Sequence, residues 1–343
     1  MDTQIITNPS EQELNMLASA LRNGELVSIP TETVYGLGAN GLDPEAMDKI
    51  YAAKGRPSDN PLILHVPNSE SIKPLVTEVS KTAQLLMDTF WPGPLTITLP
   101  KSDLVPDRAT GGLPRVALRC PDHKVCRALL ERAGVPVAAP SANISGRPSP
   151  TTAQDVYHDM KGRISYILDA GPCTIGVEST VVEVHDDKVI ILRPGGITKA
   201  QLETVVSTVE YDTALVNATT KPKAPGMKYT HYAPDAPMTV VVGHPEVIAS
   251  TFKELSEGIE GPIGCLVSHE TYDLIKDDTR FMCHCFGHHG DALALGHDFY
   301  KSLLHFNENH VTLILAEGVN DDGFGVAIMN RMEKASGHHI IYK

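Results

Sequence analysis

Leu26-Val-Ser-Ile-Pro30, followed directly by Thr31-Glu-Thr-Val-Tyr-Gly-Leu-Gly38, sets the reading of the first half of the chain. A short apolar run closed by a proline reads as a buried strand that ends where the ladder loses its donor. Two threonines, a glutamate and a tyrosine then stand beside glycines that let backbone or ligand approach closely. A helix is predicted next, opening at Asp43-Pro44 and running to Lys54. Outward from here, apolar runs predict strands at Leu62 to Val66, Leu95 to Leu99, Val116 to Arg119, Val135 to Ala139, Ile164 to Leu168, Thr180 to Val184 and Val189 to Leu192. Helical periodicity marks Val79 to Phe90, Asp122 to Ala133 and Thr152 to Met160. Strands outnumber helices, so the expected fold is α/β with one large, twisted, mixed sheet.

Beyond a weakly helical stretch at Lys199 to Val206, Pro222, Pro225, Pro234 and Pro237 break every periodicity. Residues 198–237 therefore read as a linker, and Lys228, Tyr229, His231 and Tyr232 give it groups for contact. From Met238 the rhythm is regular: strands at Met238 to Val242, Ile263 to Val267, Phe281 to Phe286 and Val311 to Ala316, helices at Pro245 to Leu255, Asp291 to Phe306 and Gly325 to Ala335. Alternating strands and long helices predict parallel βαβ units in a small three-layer domain over residues 238–343, behind a first domain over 1–197.

The 343 residues favour two domains, and 42% hydrophobic with 21% charged residues supply ordinary cores. Without an apolar leader or a membrane-length apolar run, the expectation is a soluble, cytoplasmic protein. Six cysteines are too sparse for a disulfide framework and fit a reducing compartment. A net charge of −13 and 5% aromatic residues disfavour broad contact with nucleic acid.

No G-x-x-x-x-G-K-[ST] occurs, and no dinucleotide-type glycine loop is expected after the first strand, so a nucleotide would be held another way. Gly318, Gly323 and Gly325 read as an ordinary βα turn. Cys283-His-Cys285 with His288 and His289 has a metal-like composition. The one-residue spacing is short for structural zinc, the two thiols are expected on opposite strand faces, and the group is read as structural. Ser141 and Ser179 lie near strand ends, but the absence of a G-x-S-x-G elbow speaks against a serine hydrolase.

The first domain is richer. Lys54-Gly-Arg-Pro57, with Ser58, Asp59, Asn60 and Pro61, puts cations at a helix exit, where they either answer the helix dipole or present charge to an anion. Arg115 and Arg119 share one strand face and need an anionic partner, a protein carboxylate or a substrate. Pro140-Ser-Ala-Asn143 through Ser149, Gly176-Val-Glu-Ser-Thr180 and Arg193-Pro-Gly195 add hydroxyls, an amide and guanidinium groups. Six polar loops at strand ends in one domain point to a single cleft.

Together, Thr31-Glu-Thr-Val-Tyr-Gly-Leu37, Lys54-Gly-Arg-Pro57, Pro140-Ser-Ala-Asn143, Glu178-Ser-Thr180 and Arg193-Pro-Gly195 resemble the YrdC-type threonylcarbamoyl-adenylate synthases. The linker and the Rossmann-like second domain resemble the long form of that family. The resemblance implies a nucleotidyltransferase that makes threonylcarbamoyl-AMP and pyrophosphate from L-threonine, bicarbonate and ATP. Its product would pass to a transferase that modifies tRNA beside the anticodon. It implies threonine at Thr33, His65, Arg119, the backbone around Ala139, and Ser179. It implies ATP at Lys54, Arg56, Asn60, Arg115, Ser141, Ser149, Arg193 and Tyr232, with Mg²⁺ carried on the phosphates and no dedicated metal site. The linker would then cover the cleft as a lid. The competing readings are a non-catalytic RNA-binding module, which the acidic charge disfavours, and carbamoyl transfer of the hydrogenase-maturation type, whose acylphosphatase and zinc-finger segments are absent.

Overall fold

The computed structural model describes residues 2–216 and 231–343, in two compact units. Unit 1 is residues 2–145, 149–174 and the chain from 178 to the end of the first described stretch; unit 2 is 146–148, 175–177 and 231–343. Pro222, Pro225, Lys228 and Tyr229 of the expected lid lie outside the described residues.

Unit 1 is built on strands β1 (Gln4–Thr7), β2 (Val27–Ile29), β3 (Gly36–Asn40), β4 (Ile63–His65), β5 (Leu95–Pro100), β6 (Arg115–Arg119), β7 (Val137–Ala138), β8 (Tyr166–Asp169), β9 (Thr180–Val184), β10 (Val189–Arg193) and β11 (Val209–Tyr211). They form one mixed sheet in the order β1-β8-β2-β3-β7-β4-β6-β5-β9-β10-β11. Strand β4 runs parallel to β6 and β5 parallel to β9, while β5–β6 and β9–β10 are antiparallel. The large mixed sheet is therefore as expected. Its last member, β11, pairs with β10 beyond residue 197, so the stretch read as the start of a linker continues the first sheet.

Helix Pro44–Lys54 has its limits written locally. The Asp43 side chain accepts from Glu45 N, Pro44 occupies the first turn, and Gly55 at φ 63° closes the helix in the left-handed region. Helix Glu11–Arg22 was not expected from the sequence; Ser10 and Glu13 close it with a reciprocal capping box.

The main core fills one face of the sheet with Leu64, Leu118, Ile97 and Val182 against helices Pro44–Lys54 and Lys81–Phe90. Opposite it, β4, β6, β9 and β10 contribute a small buried cluster of Ile63, Ala117, Val181 and Leu192, with Ile190 half-buried against it. Strand alternation places His65, Arg115 and Arg119 on this second face, beside that small apolar floor.

One glycine pattern was misread. Gly36-Leu-Gly-Ala-Asn-Gly41 does have G-x-G-x-x-G spacing. Its first two glycines lie inside antiparallel β3, where a Cβ on Gly38 would stand 2.8 Å from Val27 O. They allow close strand packing; only Gly41 lies in the turn before helix Pro44–Lys54, so the three glycines do not together form a phosphate-binding strand-to-helix turn.

Unit 2 is the expected three-layer α/β domain. Strands β12 (Met238–Val242), β13 (Ile263–Val267), β14 (Phe281–Cys285), β15 (Leu313–Glu317) and β16 (Ile340–Tyr342) are all parallel, in the order β14-β13-β15-β12-β16. Here the face assignment of the cysteines is corrected. Cys283 and Cys285 both join the apolar cluster that holds Cys265. Residues i and i+2 of a strand share a face, so the expectation of opposite faces failed on strand periodicity. Among the described residues no three histidine, cysteine or acidic side chains converge as a metal-binding group. His288 and His289 are instead tied to Glu270 and Glu317, at 3.0 and 2.7 Å.

Candidate active site

The registers of unit 1 bring polar residues of the second sheet face to one end of five neighbouring strands, β4, β6, β5, β9 and β10. His65 and Arg119 are paired residues at the ends of parallel β4 and β6. Thr96 is the second residue of β5, Ser179 immediately precedes β9, and Arg193 ends β10. Ala139 follows antiparallel β7 and stands level with the start of β4, two residues from His65, its N–H donating to Ile63 O at 3.0 Å.

A bulge aims Arg193. Ile191 pairs with Val182 and Arg193 with Val181, so two steps along β10 match one along β9 and the side chain changes face. Its guanidinium reaches Ser179 O from Nε at 3.1 Å and from Nη2 at 2.9 Å, and Nη2 also meets Ser179 Oγ at 3.2 Å. Ser179 Oγ lies 2.8 Å from Thr96 Oγ1.

Arg119 is the hub. Nη1 donates to Thr33 Oγ1 at 2.9 Å, Nε to Gly93 O at 3.2 Å, and Nη2 forms an ion pair with Glu32 Oε1 at 2.7 Å. Thr33 Oγ1 is 2.9 Å from Thr31 Oγ1, which donates to Val34 O at 2.6 Å, so the loop after β2 is stiffened from within. All of these side chains are buried. Burial first, then the neighbouring Arg119 charge, drives His65 down to about 3, leaving a neutral imidazole at neutral pH.

A second group gathers where helix Pro44–Lys54 ends. Lys54, only 1% exposed, donates to the carbonyls of Ser141 and Asn143, the latter at 2.6 Å. Its pKa lies well below that of an ordinary lysine because it is buried and because Arg56 is close. Arg56 Nη2 donates to Pro61 O at 3.2 Å. Both polar atoms of the Asn60 amide are buried without a hydrogen-bond partner among the described residues, as is Nδ1 of His65. Such groups are costly unless something pairs with them. Ser149, also buried, donates its hydroxyl to Glu178 at 2.7 Å.

Arg115 stands at the opposite end of β6, four residues and roughly 13 Å along the strand from Arg119. Its Nη2 donates to the carbonyls of Thr98 and Val184, both at 2.7 Å. The expected anion is thus Glu32 for Arg119, whereas Arg115 is held by backbone oxygens. Arg115 borders a cavity of about 290 Å³, lined also by Pro61, Leu62, Thr98, Leu113 and Leu192.

Twelve of the thirteen expected site residues, all but Tyr232, thus belong to unit 1. Tyr232 belongs to unit 2, where it is buried at φ 67° with its ring 5.3 Å from that of Tyr300. Glu32 carries no sign of this role in the sequence, because its partner is 87 positions away. Thr96 and Gly93 carried no signal, since only sheet registration brings them in.

Residues 19–195 match the family model Sua5_yciO_yrdC, described as Telomere recombination, and residues 197–337 match Threonylcarbamoyl-AMP synthase, C-terminal domain. A threonylcarbamoyl-AMP synthase of Bacillus subtilis is 46% identical over 97% of this chain and 95% of its own length. One from Pyrococcus abyssi is 43% identical over 96% of each. The crystal structure of Pyrococcus abyssi Sua5 complexed with L-threonine superposes with a TM-score of 0.90 at 41% identity, covering 99% of this chain and 100% of that one. Both halves and nearly the full length agree: the chain belongs to the threonylcarbamoyl-AMP synthase family, enzymes that make an adenylate from ATP.

Proposed function

We propose that the buried cluster around Arg119 receives L-threonine and that the Lys54 to Asn60 turn receives ATP, the two meeting over the apolar floor of the sheet. The carrying observation is the Arg119 guanidinium fixed by Thr33, Glu32 and Gly93 beside a neutral imidazole. A rigid guanidinium suits a carboxylate, and Thr33 and Ser179 offer hydroxyls to a hydroxylated side chain. The Pyrococcus abyssi relative solved with L-threonine supports this reading.

The neutral threonine nitrogen attacks the bicarbonate carbon, a C–O bond breaks and water leaves with the amine proton, and an oxygen of the resulting carbamate displaces pyrophosphate at the α-phosphorus. Positioning and phosphoryl-charge stabilisation then suffice, and no protein nucleophile is required. Lys54, Arg56 and Arg193, with Asn60, Ser141 and Ser149, would balance and orient the triphosphate. The cavity beside Arg115 is of a size and apolarity suited to the base. Tyr232 is assigned to ATP as well, on the resemblance alone. Mg²⁺, when bound, neutralises phosphate charge. On this reading the ion would be held mainly by phosphate oxygens.

The reading includes a cytoplasmic enzyme that hands its product to a tRNA-modifying transferase; no described helix is long and apolar enough to cross a membrane. The test is to incubate the purified protein with ATP and bicarbonate, with and without threonine. Threonine-dependent pyrophosphate release and a threonylcarbamoyl-AMP mass are expected. Release indifferent to threonine would refute the assignment, and retention of tRNA without any release would favour the RNA-binding alternative.

A further inference from the structure

Glu32 is a buried charge that the reaction described above does not use. It is 6% exposed, its partner Arg119 is 3% exposed, and they meet at 2.7 Å. Of the five guanidinium N–H groups, Thr33, Gly93 and Glu32 engage three, which leaves one on each Nη for a substrate carboxylate. Glu32 Oε2 is fully buried and accepts no hydrogen bond among the described residues.

Arg127 and Asp122, farther out beside Cys120, carry opposite charges, and Arg193 is bound to Ser179 on the side assigned to the triphosphate; the remaining titratable neighbours add no charge. His65 is neutral through burial beside Arg119, and burial also lowers His123 and raises the thiols of Cys120, Cys126 and Cys173. In direct contact with one another, Arg119 and Glu32 thus present one positive and one negative charge to a ligand at Arg119. A ligand with zero net charge leaves that balance intact. A ligand bringing only a carboxylate leaves an excess negative charge where water is excluded, which is unfavourable.

We propose that Glu32 is a specificity-determining and positioning residue: by pairing with Arg119 it makes the threonine pocket electrically neutral, and so selective for a zwitterionic amino acid over the corresponding 2-hydroxy acid anion. The substrate carboxylate takes the two remaining N–H groups of Arg119, and Glu32 answers the ammonium charge. This rests on the reading that Arg119 binds the substrate carboxylate. It concerns substrate selection and involves no proton transfer.

The probes are L-threonine and 2,3-dihydroxybutanoate, which keeps the carboxylate and the 3-hydroxyl but lacks the ammonium. Their affinities are measured by calorimetry on the full chain, together with that of ATP. In Glu32→Gln the preference for threonine over the anion should fall roughly ten- to hundred-fold, with ATP affinity unchanged. Glu32→Asp retains the charge and should keep the preference even if both ligands weaken. An unchanged ratio in Glu32→Gln, or equal loss of preference in both variants, overturns the proposal and makes Glu32 a structural partner only. Arg119→Met separates the premise: loss of both ligands supports the pocket assignment. Undiminished threonine affinity in that variant removes the premise and the proposal with it.

Discussion

At the scale of single residues, two predictions follow from buried groups of unit 1. His65 titrates near 3 in the folded chain against an ordinary value of 6.5. Between those limits the unfolded chain binds a proton that the folded one refuses. Stability therefore rises with pH through this window and is lost as pH falls from 6.5 towards 3, at about 1.4 kcal/mol per unit. In His65→Asn this loss is absent, so urea midpoints measured at pH 7, 5.5 and 4.5 should decline less steeply than in the wild type; parallel declines would refute the neutral imidazole. Arg56 and Arg119 should part company kinetically, because one sits in the turn after a helix and the other at a strand end. Arg56→Ala should weaken ATP and Arg119→Ala threonine, each by about 1.5–3 kcal/mol, the worth of a charge-assisted hydrogen bond. Titrating both variants with both substrates checks this, and equal weakening of both ligands in each variant would be the contrary result. Which residue types gather at the site was legible in short motifs, since proline, glycine and hydroxyl residues cluster wherever strands end. The pairing of Arg119 with Glu32 was not, because a contact between positions so far apart in the chain is made by sheet order, which periodicity does not encode.

Elements position those residues, and the β9–β10 hairpin shows how narrow the tolerance is. A Cβ on Gly195 would lie 2.3 Å from Thr180 N and 2.4 Å from Glu178 O, both backbone atoms that have no flexible end to yield. Gly195→Ala must therefore push apart the segment that presents Ser179 and the bulge that aims Arg193. Overpacking of this kind costs roughly 1–3 kcal/mol. We expect a lowered thermal midpoint together with weakened threonine binding; a variant that melts and binds like the wild type would show that this approach is not needed. Element type was well legible: Thr180–Val184, Pro245–Leu255 and Gly325–Ala335 fall where the periodicity put them. What escaped notice were pieces with weak or mixed signals. Strand β3 reads Gly-Leu-Gly-Ala-Asn and has almost no β-propensity; it exists because small residues let β2 and β7 close around it. The bulge in β10 is invisible in Val-Ile-Ile-Leu-Arg, which reads as an uninterrupted strand.

On the scale of the whole molecule, the change of rhythm near residue 238 was the strongest organisational signal, and it corresponds to a second sheet whose five strands, among the described residues, pair only with one another. That sheet has apolar layers of its own. Val241, Cys265 and Leu315 pack with Ile248 and Phe252 on one face, and on the other Gly264 admits Phe306, whose ring would stand 2.7 Å from an added Cβ. Residues 231–343 thus number about 110, a size at which many domains fold alone. Two short loops from earlier in the chain also belong to this unit. Ala233 N donates to Gly146 O at 2.9 Å, and Gly176 packs on the Gly296–His297 backbone. A fragment of residues 231–343 forfeits those contacts but keeps every strand pair and both helix layers, so it should fold with reduced stability. The expected outcome is a single cooperative urea transition by far-ultraviolet circular dichroism, coincident with the fluorescence change of its tyrosines. A broad, probe-dependent transition with exposed apolar surface would mean that the loops at 146–148 and 175–177 complete the core and that the unit cannot stand without them.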